Sequence, residues 1–245
     1  MCKPRGVGKQ LVLPNEGIFN PMPEPATILV LGSGAGALYL RFFRKRYAEF
    51  KRAIDILFAL PGLLVAAPVV AVLAVLVKLT SKGPAFYVQE RVGKHGRVFK
   101  IVKLRTMVQD AESRTGPVWA SAHDPRETPL GSVLRRTHLD ELPQLWNVLK
   151  GDMSLIGPRP ERPVFVEEFK QQIPRYTDRL AVRPGITGWA QVNHVYDQSV
   201  DDVRRKVEFD REYIRRMGWG IDLKIMVATA LRMLGRKGGP AGSRS

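Results

Sequence analysis

The sequence predicts an α+β fold, mainly helical, with a membrane-embedded helix, amphipathic helices and a small unit containing a β-hairpin. Three observations predict it. Residues 56–77 carry no charge; as a helix rising 1.5 Å per residue they would cover about 33 Å, enough for a bilayer core of about 30 Å. Residues 85–90 and 98–102 are β-prone and flank a Gly-Lys-His-Gly turn. Residues 161–172 and 201–217 place apolar side chains at helical spacing among charges.

In chain order, residues 1–45 form an N-terminal extension. Its first 25 residues are rich in Pro and Gly and lack periodicity, which predicts an irregular segment. Residues 26–40 join an apolar run to Gly32, Gly34 and Gly36, a pattern shared with dinucleotide-binding turns. No second strand or ribose-binding acid follows at a suitable distance, so a packing segment is the better reading.

Residues 46–82 form the membrane helix. Both flanks are basic: Arg41, Arg44, Lys45, Arg46, Lys51 and Arg52 before the run, Lys78, Lys82, Arg91, Lys94, Arg97 and Lys100 after it. Positive flanks stay on the cytoplasmic side, and one straight helix cannot put both there. Pro68 removes a backbone donor near the middle of the run. Flanks and proline together favour a re-entrant helix that dips into the inner leaflet and returns, over a kinked spanning helix.

Residues 83–235 read as a cytoplasmic and interfacial unit. After the hairpin, residues 130–136 predict a helix. A second is expected from Asp140 to about Leu149, with Leu142, Leu145, Trp146 and Leu149 as its apolar stripe. Gly151, Gly157, Pro158 and Pro160 then break regular structure. Residues 221–234 are strongly apolar, which suits either a core helix or one lying at the membrane interface. Residues 236–245 are a basic, Gly-rich tail.

Composition narrows the partners. Lys and Arg number 39 against 23 Asp and Glu, a formal charge of +16. Such a chain favours polyanions: nucleic acid, an anionic membrane, or phosphorylated substrates. No nucleic-acid-binding motif is visible, and nucleic acid leaves the apolar run unexplained. The single cysteine, Cys2, excludes an intrachain disulfide and a cysteine zinc site. His95, His123, His138 and His194 show no paired spacing.

The acidic pair Asp140-Glu141 is the strongest chemical candidate. Pro143 suits a first helical turn, where two carboxylates would feel the positive end of the helix dipole; surface charge matched to that dipole is the plainer alternative. Arg135 and Arg136 precede the pair, Asp152 and Arg159 follow, and Arg105, Arg126 and Arg183 stand in other motif-like stretches. Carboxylates amid cations suit phosphoryl transfer, in which positioning and charge neutralisation dominate. An ionised Asp can itself attack phosphorus. A divalent ion such as Mg²⁺ would take hard oxygen ligands, and the carboxylates supply some without a diagnostic metal spacing. Gly157-Pro158-Arg159-Pro160 and Arg183-Pro184-Gly185 each set an arginine on a stiff turn, which suits either phosphate binding or a plain exposed loop.

These blocks, in this order, are familiar. KRAID at 51–55, GPAFYVQERVGKHGRVFKIVKLRTM at 83–107, DPRETPLGSVLRRTHLDELPQLWNVLKGDMSLIGPRP at 124–160, RPGITGWAQVN at 183–193 and DLKIM at 222–226 make the chain resemble the monotopic phosphoglycosyl transferases, the bacterial sugar transferase family. The resemblance implies a re-entrant membrane helix, interfacial helices and a small cytoplasmic α+β unit. It implies transfer of a sugar-1-phosphate from a UDP-sugar to polyprenyl (undecaprenyl) phosphate, with UMP released and Mg²⁺ required. The Asp matching Asp140 forms a covalent phosphosugar and Glu141 matches its acidic partner. These two are also the implied metal ligands. Arg159, Arg136, Arg105 and Arg183 are the expected phosphate-binding residues, and Pro68 matches the helix-breaking proline. The expected location is the cytoplasmic face of a bacterial inner membrane, at the first membrane step of glycan assembly. Ala67 stands where relatives often carry Ser before the proline. A basic membrane scaffold without catalysis is the alternative. The sugar and any homo-oligomer stay open.

Overall fold

The computed structural model describes residues 34–113, 116, 124–193 and 199–235; side chains are described from residue 46, without residue 234. The predicted irregular opening, most of the glycine-bearing segment and the basic tail lie outside the described residues. The backbone divides into two units, Met1–Phe43 and Arg44–Ser245. In the first, the described residues are the opening of helix α1, Gly34–Thr80. All that follows concerns the second.

Helix α1 runs through Pro61 and Pro68 without an assigned break. Its Arg46–Thr80 portion is long and apolar enough to cross a membrane. Most of its large side chains face outward unpartnered, Leu64, Val65 and Leu79 being 69%, 75% and 77% exposed. An exposed surface of that apolarity marks a contact with membrane or with another protein. The other side is seated on the second unit. Arg52 donates to Val148 O at 2.5 Å and Leu149 O at 2.8 Å, and Asp55 accepts from Ser154 Oγ and Leu155 N, both at 3.0 Å. Lys51 and Tyr47 both reach Asp222.

The predicted hairpin is present and longer than expected. Strands β1, Phe86–Val92, and β2, Val98–Leu104, pair antiparallel with Phe86 opposite Leu104. His95 takes a left-handed φ of 57° in the 3₁₀ turn between them. Helix α2, Pro129–Thr137, begins where Thr128 accepts from Gly131 N at 3.0 Å.

One expectation needs correction. No single helix runs from Asp140 to Leu149. Asp140 and Glu141 sit in a 3₁₀ turn, Leu139–Glu141, and helix α3, Gln144–Lys150, starts after Pro143. Trp146, assigned to the apolar stripe, is 57% exposed, while Asn147 is buried. Asn147 has a reason to point inward: its Oδ1 accepts from Val102 N at 3.1 Å and its Nδ2 donates to Lys100 O at 2.8 Å. The side-chain amide thus completes the free edge of β2.

Short strands adjoin the two arginine turns. β3, Ser154–Ile156, and β4, Gly185–Thr187, pair in parallel. Glycine is required there, because a Cβ on Gly185 would lie 2.0 Å from Gly157 N. Helices α4, Pro163–Gln172, and α6, Val200–Arg216, close one core around Val166, Phe169, Tyr176, Val203 and Val207. Between β4 and α6 lies the short helix α5, Trp189–Asn193. Helix α7, Trp219–Gly235, has a core face and an outward apolar face. Ile221 and Ile225 are buried against Ile156, Trp189 and Tyr213, while Leu223, Val227 and Leu231 are exposed.

Replacing Asn147 by Ala leaves a strand N–H and a strand carbonyl unpaired in a partly buried site. The expected loss is about 3 kcal/mol, since each stranded group costs roughly 1–3 kcal/mol. Denaturant unfolding of purified Asn147→Ala against the parent checks it; an unchanged midpoint would show the amide to be dispensable.

Candidate active site

The acidic turn is made by a sharp change of direction. His138, at φ 58°, ends α2 in the left-handed region and feeds the chain into Leu139–Glu141. Leu139 packs beside Leu104, Leu134 and Val77, so the turn is fastened to β2, α2 and α1 together.

The two carboxyls of this turn meet opposite surroundings. Glu141 Oε1 accepts from Lys103 Nζ at 2.7 Å and from Arg159 Nη2 at 2.6 Å. Arg159 Nη1 lies 3.4 Å from Oε2. Burial alone would push Glu141 up, but the charges of Arg159 and Lys103 override it and hold the carboxyl well below the usual range. Asp140 is buried, and no described residue gives its carboxylate a hydrogen bond. Burial raises its pKa to about 6, with Lys103 opposing and Glu141 reinforcing the rise. Lys103 is itself pushed down by burial, partly offset by Glu141. Arg159 is held charged chiefly by Glu141, yet its side chain stays 38% exposed. The arrangement is a locked carboxylate, one beside it that no described residue bonds, and a partly exposed arginine side chain. Such a site can receive a phosphate and present a nucleophile to it.

The other predicted arginines are dispersed. Arg136 is exposed in the last turn of α2, just ahead of the dyad. Arg183 donates from Nε to Gly151 O at 3.0 Å. Arg105 is buried, donating to Lys82 O at 2.5 Å, Ser81 O at 2.9 Å and Ser81 Oγ at 2.7 Å. Those bonds clasp the end of α1, so Arg105 fastens the helix rather than facing the dyad. Lys103 went unrecognised in the sequence. A signal existed, because alternation along β2 puts it on the face of buried Phe99 and Ile101, where a charge needs a partner.

A metal would find few protein ligands here. Among the described residues no group of three or more His, Cys, Asp or Glu side chains converges. Glu141 is already engaged by two cations, leaving the Asp140 carboxylate. That set fits an Mg²⁺ that draws most of its oxygens from a bound pyrophosphate and water, and does not form a protein cage.

Comparison with known proteins identifies a family. The family model for bacterial sugar transferases matches residues 46–236. The chain is 47% identical over 188 residues to the UDP-N-acetylgalactosamine-undecaprenyl-phosphate N-acetylgalactosaminephosphotransferase of Aeromonas hydrophila, covering 77% of this chain and 44% of that one. It is 43% identical over 184 residues to the UDP-glucose:undecaprenyl-phosphate glucose-1-phosphate transferase of Escherichia coli K12, covering 74% and 39%. A Caulobacter vibrioides protein of that same name is 39% identical over 186 residues, covering 75% and 69%. The chain thus spans less than half of the Aeromonas and Escherichia relatives, and the stretch under the family model holds the acidic turn and both arginine turns. With most of its length under the family model, the chain belongs to the bacterial sugar transferase family.

Proposed function

We propose that this protein transfers a sugar-1-phosphate from a UDP-sugar to polyprenyl (undecaprenyl) phosphate, releasing UMP, through a covalent intermediate on Asp140. The observation that carries the proposal is the unequal pair. Glu141 is pinned between Lys103 and Arg159, while Asp140 beside it is buried and takes no hydrogen bond from a described residue. In the first step an Asp140 carboxylate oxygen attacks the β-phosphorus. The bond from that phosphorus to the oxygen bridging to the α-phosphate breaks, and UMP leaves with that oxygen. In the second, a phosphate oxygen of the polyprenyl phosphate attacks the same phosphorus. The Asp140–phosphorus bond breaks, yielding the diphosphate-linked sugar and restoring the carboxylate. Arg159 offers its exposed edge to the donor's phosphates, and Arg136 adds charge at the entrance. Mg²⁺, when bound, neutralises pyrophosphate oxygens, with Asp140 and Glu141 as its nearest carboxylates. The relatives' names speak for N-acetylgalactosamine and glucose donors, and a panel of UDP-sugars decides between them.

The membrane reading follows from α1. Ala59, before Pro68, packs in the cluster of Phe99 and Ile101, and Val77, after it, packs in the cluster of Leu104. On a straight helix residues 59 and 77 stand about 27 Å apart. Residues 101 and 104 are about 10 Å apart along a strand. A bend near Pro68 would bring the two spans closer, which favours the re-entrant reading over a straight spanning helix. The outward apolar face of α7 would then lie at the interface.

Asp140→Asn is expected to eliminate both UMP release and the mass increment of a phosphosugar on the protein after donor alone; a variant that still turns over removes Asp140 from its role. The donor step needs the carboxylate, so its rate should climb as pH rises through about 6 and level off above 7. A flat profile between pH 5 and 8 contradicts this assignment. In the same assay chelation should halt turnover and Mg²⁺ restore it, and persistence under chelator dismisses the metal. For topology, tags at residue 1 and residue 245 should both resist protease in intact spheroplasts; cleavage of only one means that α1 spans.

A further inference from the structure

The turn bearing Arg159 is tethered carbonyl by carbonyl. Gly185 N–H donates to Pro158 O at 2.9 Å, Arg179 Nη2 to Arg159 O at 2.8 Å, Arg91 Nη1 to Pro160 O at 3.3 Å, and Val92 N–H to Glu161 O at 2.9 Å. Pro158 and Pro160 fix φ on either side of Arg159 and have no N–H to offer an alternative pairing. Donors from β1, the 3₁₀ turn Tyr176–Ala181 and β4 thus converge on one short stretch of main chain.

Two of these donors are arginines held in the interior by charge. The Arg179 side chain is 2% exposed and pairs with Asp210 Oδ2 at 2.8 Å; its Nη1 donates to the Tyr176 hydroxyl at 3.0 Å. Arg91 Nη1 lies 3.8 Å from Glu161 Oε2, and Glu161 Oε1 accepts from Lys206 Nζ at 2.6 Å. Asp210 and Lys206 both come from α6, one turn apart. Stability alone is a poor reason for such pairs, because well-packed apolar residues often replace them without loss. What a buried guanidinium can do, and an apolar side chain cannot, is fix a carbonyl oxygen in place. Here each fixes a carbonyl at or next to the residue whose side chain bridges Glu141.

We propose that Arg179 and Arg91 are positioning residues for the transfer reaction, acting through Arg159. They hold the main chain at 159–160 so that the Arg159 guanidinium clamps Glu141 with one edge and keeps the other toward the donor's phosphates, with α6 supplying the countercharges. This rests on reading Arg159 as a phosphate-binding group.

The test is a double-mutant comparison on the full chain in detergent or nanodiscs, using the panel UDP-sugar that gives the fastest UMP release. Arg179→Lys should lower kcat/KM at least tenfold, and Arg91→Ala several-fold. In an Arg159→Ala background neither should lower it further by more than about twofold, since additivity fails for residues acting through a shared partner. Equal fold losses in both backgrounds would overturn the positioning role, because a general loss of folded protein acts equally in each. Should Arg179→Lys fail to fold, the less buried Arg91→Ala pair decides alone. An Arg159→Ala enzyme with unchanged kcat/KM would instead remove the phosphate-binding reading on which the proposal stands.

Discussion

The Glu141 carboxylate, shared by Lys103 and Arg159, is the interaction on which the site's architecture turns. It gathers three stretches that are distant in sequence: the hairpin, the turn after α2, and the rigid turn after β3. A buried carboxylate between two cations stays ionised and immobile, and it fixes the geometry of what lies beside it. Asp140 benefits by contrast. With Lys103 and Arg159 committed to its neighbour, its carboxylate takes no hydrogen bond from the described residues, and burial raises its pKa. One residue takes the hydrogen bonds, and the other receives none from the described residues.

That division could not be read from Asp140-Glu141 as letters. Two adjacent acids ahead of a proline suggested a helix N-terminus with both side chains under the same dipole. The chain instead makes a separate 3₁₀ turn, because left-handed His138 redirects it before α3 begins. The difference between the acids then arises from long-range partners, and a sequence without contacts cannot assign those. The same limit applies to Arg105 and Arg159. Both are arginines in motif-like stretches, yet one fastens the end of α1 and the other meets the dyad.

Local signals fared better. Alternation on either side of a glycine-bounded turn located the hairpin within a residue or two. Length without charge located the apolar part of α1, and periodicity located α2, α4 and α6. The β3–β4 pair escaped because three-residue strands among Pro and Gly have no period to detect; they exist through close main-chain approach at Gly157 and Gly185. Lys103 escaped because a lysine in a β-hairpin reads as solvated, although its parity with Phe99 and Ile101 marked it as facing inward.

The Asn147 amide bears on how copies of the chain meet. A two-stranded ribbon displays open rims, and an open rim is a template for another polypeptide. By occupying the N–H of Val102 and the carbonyl of Lys100, α3 denies that rim to a neighbouring molecule. Two copies of this protein therefore have less bare strand edge along which to pair.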